Sequence, residues 1–138
     1  MAFCRTLDKT GWLKLASQSL VLLVEDNTIL DITVVLWVSS ILSAFIDNIP
    51  FTAAFIPVLA ELGRSGVDVY PLWWALSAGT GLGGDGTIIG ASANVIAIGI
   101  AQARGVRIIF GEFAKVGLPI MALTTAMGNL SLVARFLL

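Results

Sequence analysis

The chain has 138 residues, 57% of them hydrophobic and 12% charged, with a net charge of −1 and a mean hydropathy of +0.95. Soluble domains carry about a quarter charged residues, and a small one leaves much of its surface wet, so this composition calls for lipid as the solvent. The near-neutral balance without a basic run excludes a nucleic-acid partner; a single Cys4 excludes an internal disulfide, and the absence of histidine removes zinc and Ser-His-Asp chemistry.

From Met1 to Arg5 no long apolar stretch or small-residue cleavage site follows, so no signal peptide is expected. The chain is expected to begin partway through a larger protein. Residues 11–24 carry Lys14, Ser17 and Gln18 among apolar residues and read as an interfacial or peripheral helix, so 1–30 form an interfacial start, with a loop at 25–28. Beyond Asp31, uncharged runs cover 32–46, 48–60, 69–84, 86–103 and 116–134. A spanning helix needs about 20 apolar residues. Only the last run reaches that length, and 86–103 comes close.

The short runs are paired. Residues 31–60 are one apolar stretch interrupted by Asp47-Asn48-Ile49-Pro50, which predicts a re-entrant helical hairpin with arms at 32–46 and 50–60. Asp31 suits the cap of the first arm, Pro50 the first turn of the second, and Pro57 predicts a kink. After a polar connection at 61–69, Pro71 opens a helix with Tyr70, Trp73 and Trp74 placed as an interfacial aromatic belt. That helix, within 69–103, is expected to break inside 79–94 and to end at Arg104 and Arg107. A final transmembrane helix is expected over 110–134, with Pro119 as a kink and Arg135 as its exit anchor. If 31–60 is a hairpin, Arg64 and Arg135 share one membrane face and Arg104, Arg107 and Lys115 the other; three cations against two favour the second face as cytoplasmic.

Glycine and proline break helices through chain entropy and a missing N–H. Backbone freed at membrane depth survives only inside protein or beside a wet cavity, and two interrupted segments point to a transporter binding site. Asp47 within an apolar stretch costs roughly 3 kcal/mol or more to insert, so the hairpin tip reads as offering Asp47 and Asn48 oxygens to a cation, or Asp47 as a carboxylate that titrates for proton coupling; capping of the second arm by Asp or Asn is the alternative, and the roles can coexist. The stretch Gly79-Thr80-Gly81-Leu82-Gly83-Gly84-Asp85-Gly86-Thr87 contains a formal G-x-G-x-x-G, but no strand precedes it and no acidic residue follows about 20 positions on, so a dinucleotide site is excluded. Gly79/Gly83 and Gly86/Gly90 also have the four-residue spacing of close helix packing. An unwound break lining a site explains the same glycines and Asp85 as well. Ser92 and Asn94 can cap the second half-helix toward an anionic ligand or serve as interhelical hydrogen-bond partners. Glu112, Lys115 and Asp31 read as anchors or caps.

Three stretches, Ser43 to Thr52, Pro71 to Leu76 and Leu82 to Val95, with Phe113 to Pro119, resemble the C-terminal part of the P protein (pink-eyed dilution) family. That family lies within the ion transporter superfamily, beside arsenite pumps, NhaD-type sodium/proton antiporters and citrate transporters. Position 85 is Asp where relatives carry Asn, which changes the local charge. The resemblance implies an all-α membrane protein, here a single partial transmembrane domain over 1–138: the second repeat of an inverted-repeat transporter, with ligand and coupling ion between hairpin tip and helix break.

The function expected is secondary active transport of an ion or small anion coupled to Na⁺ or H⁺. Side-chain oxygens would come from Asp47, Asn48, Thr52, Asp85, Thr87, Ser92 and Asn94, and carbonyls from Gly83, Gly84, Gly86 and Gly90. A Na⁺ ion is expected near Asp47, Asn48 and Asn94, and no other cofactor. Expected partners are the lipid bilayer, the first repeat of the same protein, the small ion or anion substrate and, at full length, a second copy in a homodimer. The location expected is integral and multi-pass, which in a prokaryote means the cell membrane. A passive channel of the same fold and a non-transporting membrane subunit are the alternatives. An enzyme is not expected, because no nucleophile–base pair or metal cluster is visible.

Overall fold

The computed structural model describes residues 28–137; of the expected interfacial start at 1–30, residues 1–27 lie outside them and 28–30 belong to the first helix. All regular structure among the described residues is helical: α1 (Thr28–Ser43), α2 (Asn48–Arg64), α3 (Tyr70–Gly83), a single 3₁₀ turn (Ile88–Gly90), α4 (Ser92–Ala103) and α5 (Phe110–Leu137). The β-branched residues of α1 have modest helix propensity in water. In lipid, a helix satisfies every backbone group within one segment, and that requirement outweighs propensity.

Local chemistry sets the ends. Asp31 lies within the first turn of α1, not at a cap as its position before 32 suggested, and is buried; its charge there suits the positive end of the helix. A turn at Ala44 to Ile46 closes on Ser40 and Leu42. Asp47, in an extended conformation, caps α2 by accepting from Ile49 N at 3.3 Å. The α2 helix runs past Ala60 to Arg64, whose guanidinium pairs with Glu61 at 3.1 Å on the exposed surface. Charged residues therefore fall within this helix and do not mark where it stops winding. Left-handed glycines, Gly66 (φ 93°) and Gly105 (φ 85°), follow α2 and α4, a conformation that a side chain disfavours.

Helices α1 and α3 run parallel and in close contact. A Cβ on Gly79 would stand 2.6 Å from Leu36 O, and one on Gly83 would overlap Ser40 O. Small residues four apart thus let two backbones touch, which settles the packing role of this glycine pair. Helix α2 returns antiparallel, and Phe51, Phe55, Val58, Leu59 and Leu62 meet Ile32, Val35 and Leu36 of α1 and Leu72, Ala75 and Leu76 of α3 in one core.

Helix α5 runs antiparallel to α1 and α3. Its register is fixed by the Phe136 ring against Tyr70 at 6.1 Å, by Thr33 Oγ1 donating to Asn129 Oδ1 at 3.1 Å, and by Ser40 with Thr125 at 2.8 Å. Farther along, Met121 abuts Gly86, and Gly117 abuts the carbonyls of Asp85 and Gly86. Helix α5 contains the one segment, Phe110–Phe136, long and apolar enough to cross a membrane among the described residues. Its outer face is bare: Val116, Leu123, Met127 and Leu130 are each more than 60% exposed, as a lipid- or protein-facing surface requires.

Candidate functional site

The parallel arrangement of α1 and α3 brings their C-terminal ends to one level, so the turn after α1 and the break after α3 meet. Two hydroxyls and two amides lock them together. Thr87 Oγ1 donates to Ala44 O and accepts from Gly90 N at 3.2 Å, so one buried hydroxyl ties the turn to the 3₁₀ segment. Ser43 Oγ donates to Thr80 O at 3.0 Å.

The Asn48 amide, at the first residue of α2, faces acceptors at one end. Its two N–H protons serve Thr80 O at 2.9 Å and Gly90 O at 3.0 Å, with Ser43 Oγ also beside the nitrogen, an orientation assigned from those partners. From the first turn of α4, Asn94 Nδ2 donates to Gly84 O at 2.8 Å and Thr87 O at 3.0 Å. Its Oδ1 has no protein donor among the described residues. Four carbonyls, those of Thr80, Gly84, Thr87 and Gly90, thus find donors on two amides. An unsatisfied buried carbonyl costs about 1–3 kcal/mol, so the two asparagines make an interrupted helix tolerable here.

The glycines of the break are fitted to this knot. A Cβ on Gly84 would stand 2.9 Å from the Asn48 amide, one on Gly90 2.9 Å from Gly84 O, and one on Gly86 2.7 Å from Met121 Sδ. Gly83, Gly84, Gly86, Thr87 and Gly90 are all buried.

The other candidates lie apart from this knot. Asp47 is half-buried and engaged at its own cap. Thr52 Oγ1 donates back to Asn48 O at 2.7 Å. Asp85 and Ser92 are exposed. No group of three His, Cys, Asp or Glu residues gathers among the described residues. Sequence reasoning missed Ser40, Ser43, Thr80 and Thr125. The available signal was the spacing Ser39-Ser40-x-x-Ser43, a polar stripe on one face of an apolar helix.

Residues 1–79, which include the turn but not the break, match the citrate transporter family, CitMHS. The P protein of Homo sapiens is 47% identical over 107 residues, 75% of this chain and 13% of that protein. A 46 kDa membrane protein of Mycobacterium leprae is 35% identical over 136 residues, 95% of this chain and 31% of that protein. An uncharacterized transporter of Synechocystis is 33% identical over 134 residues, 85% of this chain and 30% of that protein. The chain therefore spans 13% to 31% of the length of these relatives. No solved structure matches it.

Proposed function

The chain belongs to the citrate transporter family, a family of membrane proteins, and from that premise we propose that it forms part of a multi-pass secondary active transporter for an ion or small anion, coupled to Na⁺ or H⁺. The observation that carries this reading is the convergence of Asn48 and Asn94 on Gly84 where two helices end together. Their nitrogens anchor to backbone carbonyls, which leaves amide oxygens as pre-oriented ligands for a hard cation. Asp47 and Asp85 add negative charge near the same end of the helices and favour cation entry.

In this reading Asn48 and Asn94 are ligands of a coupling Na⁺, with Asp47 beside them either as a charge or as the titrating group of H⁺ coupling. Thr87 is a positioning residue, because its proton and an acceptor site are already engaged. Thr52, Asp85, Ser92 and the glycine carbonyls remain candidates for the substrate side of the site. The rest of the fold, including an inverted first repeat and a second copy at full length, would complete the path. No enzymatic step and no organic cofactor enters this proposal.

The test is uptake and counterflow by the full-length protein in liposomes, under imposed Na⁺ or proton gradients. Gradient-driven accumulation that falls with Asn94→Ala and Asp47→Asn supports the reading. Unchanged transport and ion dependence in both variants removes the site assignment, and conductance without accumulation replaces a carrier by a channel.

A further inference from the structure

Ser39 stands apart from the other buried serines of α1. It is fully buried, yet its Oγ has no hydrogen-bond partner among the described residues. Ser40 pairs with Thr125, and Ser43 donates to Thr80 O. A buried hydroxyl left unpaired is costly, and one in a folded protein calls for a physical reason.

The register of α1 against α3 supplies that reason. The two parallel helices step together: Leu36 O lies against Gly79, Ser40 O against Gly83, and Ala44 O takes the Thr87 hydroxyl, each pair one turn beyond the last. The four-residue step that carries Ser43 back to Ser39 therefore carries Thr80 back to Leu76. Ser39 faces the Leu76 carbonyl as Ser43 faces that of Thr80, and its Cβ lies 2.9 Å from where a Gly79 Cβ would stand. The difference lies in what else each carbonyl holds. At Thr80 the helical donor, Gly84 N, stands off at 3.3 Å, which leaves the oxygen to Ser43 and the Asn48 amide. At Leu76 the helix is intact, and the remaining lone pair takes the Thr80 hydroxyl at 2.9 Å. Ser39 is shut out. The Thr80 hydroxyl also lies 3.1 Å from Ser77 O, so its single proton can serve either carbonyl without a change of rotamer.

We propose that Ser39 and Thr80 form a hydroxyl switch over the Leu76 carbonyl. With the Thr80 proton on Leu76 O, Ser43 is the one α1 hydroxyl bonded to α3 among the described residues. With that proton on Ser77 O, Ser39 donates to Leu76 O, and α1 grips α3 at two successive turns. Thr80, whose carbonyl gathers Ser43 and Asn48, thus sets how firmly the two helices are joined in the turn before α3 breaks. The switch is independent of what the protein carries and is read by melting alone, so it and the transporter reading fail separately.

The test is thermal melting of the full-length protein in detergent for Ser39→Ala, alone and combined with Thr80→Val, which removes the competing hydroxyl and frees Leu76 O. Alone, Ser39→Ala is expected to leave the melting temperature unchanged or to raise it, because it removes an unpaired oxygen. Beside Thr80→Val the same substitution is expected to lower it, because Ser39 there has gained Leu76 O. Thr80→Ala frees the same carbonyl and takes the place of Thr80→Val should the valine protein misfold. Thr80→Ser keeps the hydroxyl and is expected to restore the parent response to Ser39→Ala. A lowered melt for Ser39→Ala in the parent, as a bond to its own helix would give, overturns the proposal. So does a melt that Ser39→Ala leaves unchanged or raises in the Thr80→Val or Thr80→Ala background, or a Thr80→Ser protein that responds as those variants do.

Discussion

Asn48 and Asn94, on different helices, close on the same glycine. Asn94 Nδ2 donates to Gly84 O at 2.8 Å, and the Asn48 amide would lie 2.9 Å from a Gly84 Cβ. Replacing Asn94 by alanine strips Gly84 O of its donor and leaves Thr87 O with the Gly90 N–H at 3.3 Å alone. The loss of stability expected is about 1–3 kcal/mol, read as a lowered melting temperature in detergent, together with loss of gradient-driven uptake. A variant that melts and transports like the parent would contradict this.

The glycines of α3 divide by surroundings. Gly83→Ala forces a methyl into the Ser40 backbone, whereas Gly81→Ala enters open space. The first should destabilise by about 1–3 kcal/mol through overpacking. The second should be neutral or stabilising by up to about 1 kcal/mol, the helix-propensity difference. Thermal melts of the two variants side by side decide the matter; equal melts would mean that α1 and α3 are not in close contact.

Thr87 offers a test of hydroxyl against shape. Thr87→Val keeps the volume but loses the link between Ala44 O and Gly90 N, and is expected to cost about 1–3 kcal/mol. Thr87→Ser keeps the link and should retain most of the stability and uptake. If valine behaves as well as serine, the hydroxyl does not hold the turn to the break.

At Asp47 the cap and the charge can be separated. Asn caps a helix about as well as Asp, while Ala costs about 1 kcal/mol. Asp47→Asn should therefore melt as the parent does and still lose its ion dependence, whereas Asp47→Ala should lose both. An ion dependence untouched by Asp47→Asn would reduce this residue to a cap.

Across the α1–α5 contact, a double-mutant cycle on Ser40→Ala and Thr125→Val should return a coupling near the roughly 0.6 kcal/mol typical of hydrogen bonds between membrane helices. A coupling of zero would place these hydroxyls out of contact.

The helical class and the residues of the knot were legible because they disturb the hydropathy pattern. Asn48, Gly84, Thr87, Gly90 and Asn94 all fall in polar or glycine-rich interruptions of apolar runs. Ser40, Ser43 and Thr125 were not, because a hydroxyl barely dents an apolar average and can return its proton to its own helix, as Thr80 does to Leu76 O at 2.9 Å. Asp85 and Ser92 attract notice by polarity alone, yet where the Asp85 side chain points in its nonhelical turn follows from dihedral angles that composition does not encode. The reach of α2 to Arg64 escaped for a related reason, since charged residues do not mark the end of a helix.

The parallel pairing of α1 with α3 has a consequence for how the protein is made. Helix α1 leaves the ribosome with Ser40 and Ser43 on its face, but Thr80 arrives 37 residues after Ser43, and Thr125 arrives 85 residues after Ser40. Until both have been synthesised, the newborn segment must shelter its hydroxyls elsewhere, in the insertion machinery or against its own carbonyls. Assembly is therefore ordered by translation, and a chain stopped before α5 would leave α1 lodged in the bilayer without the neighbour that completes it.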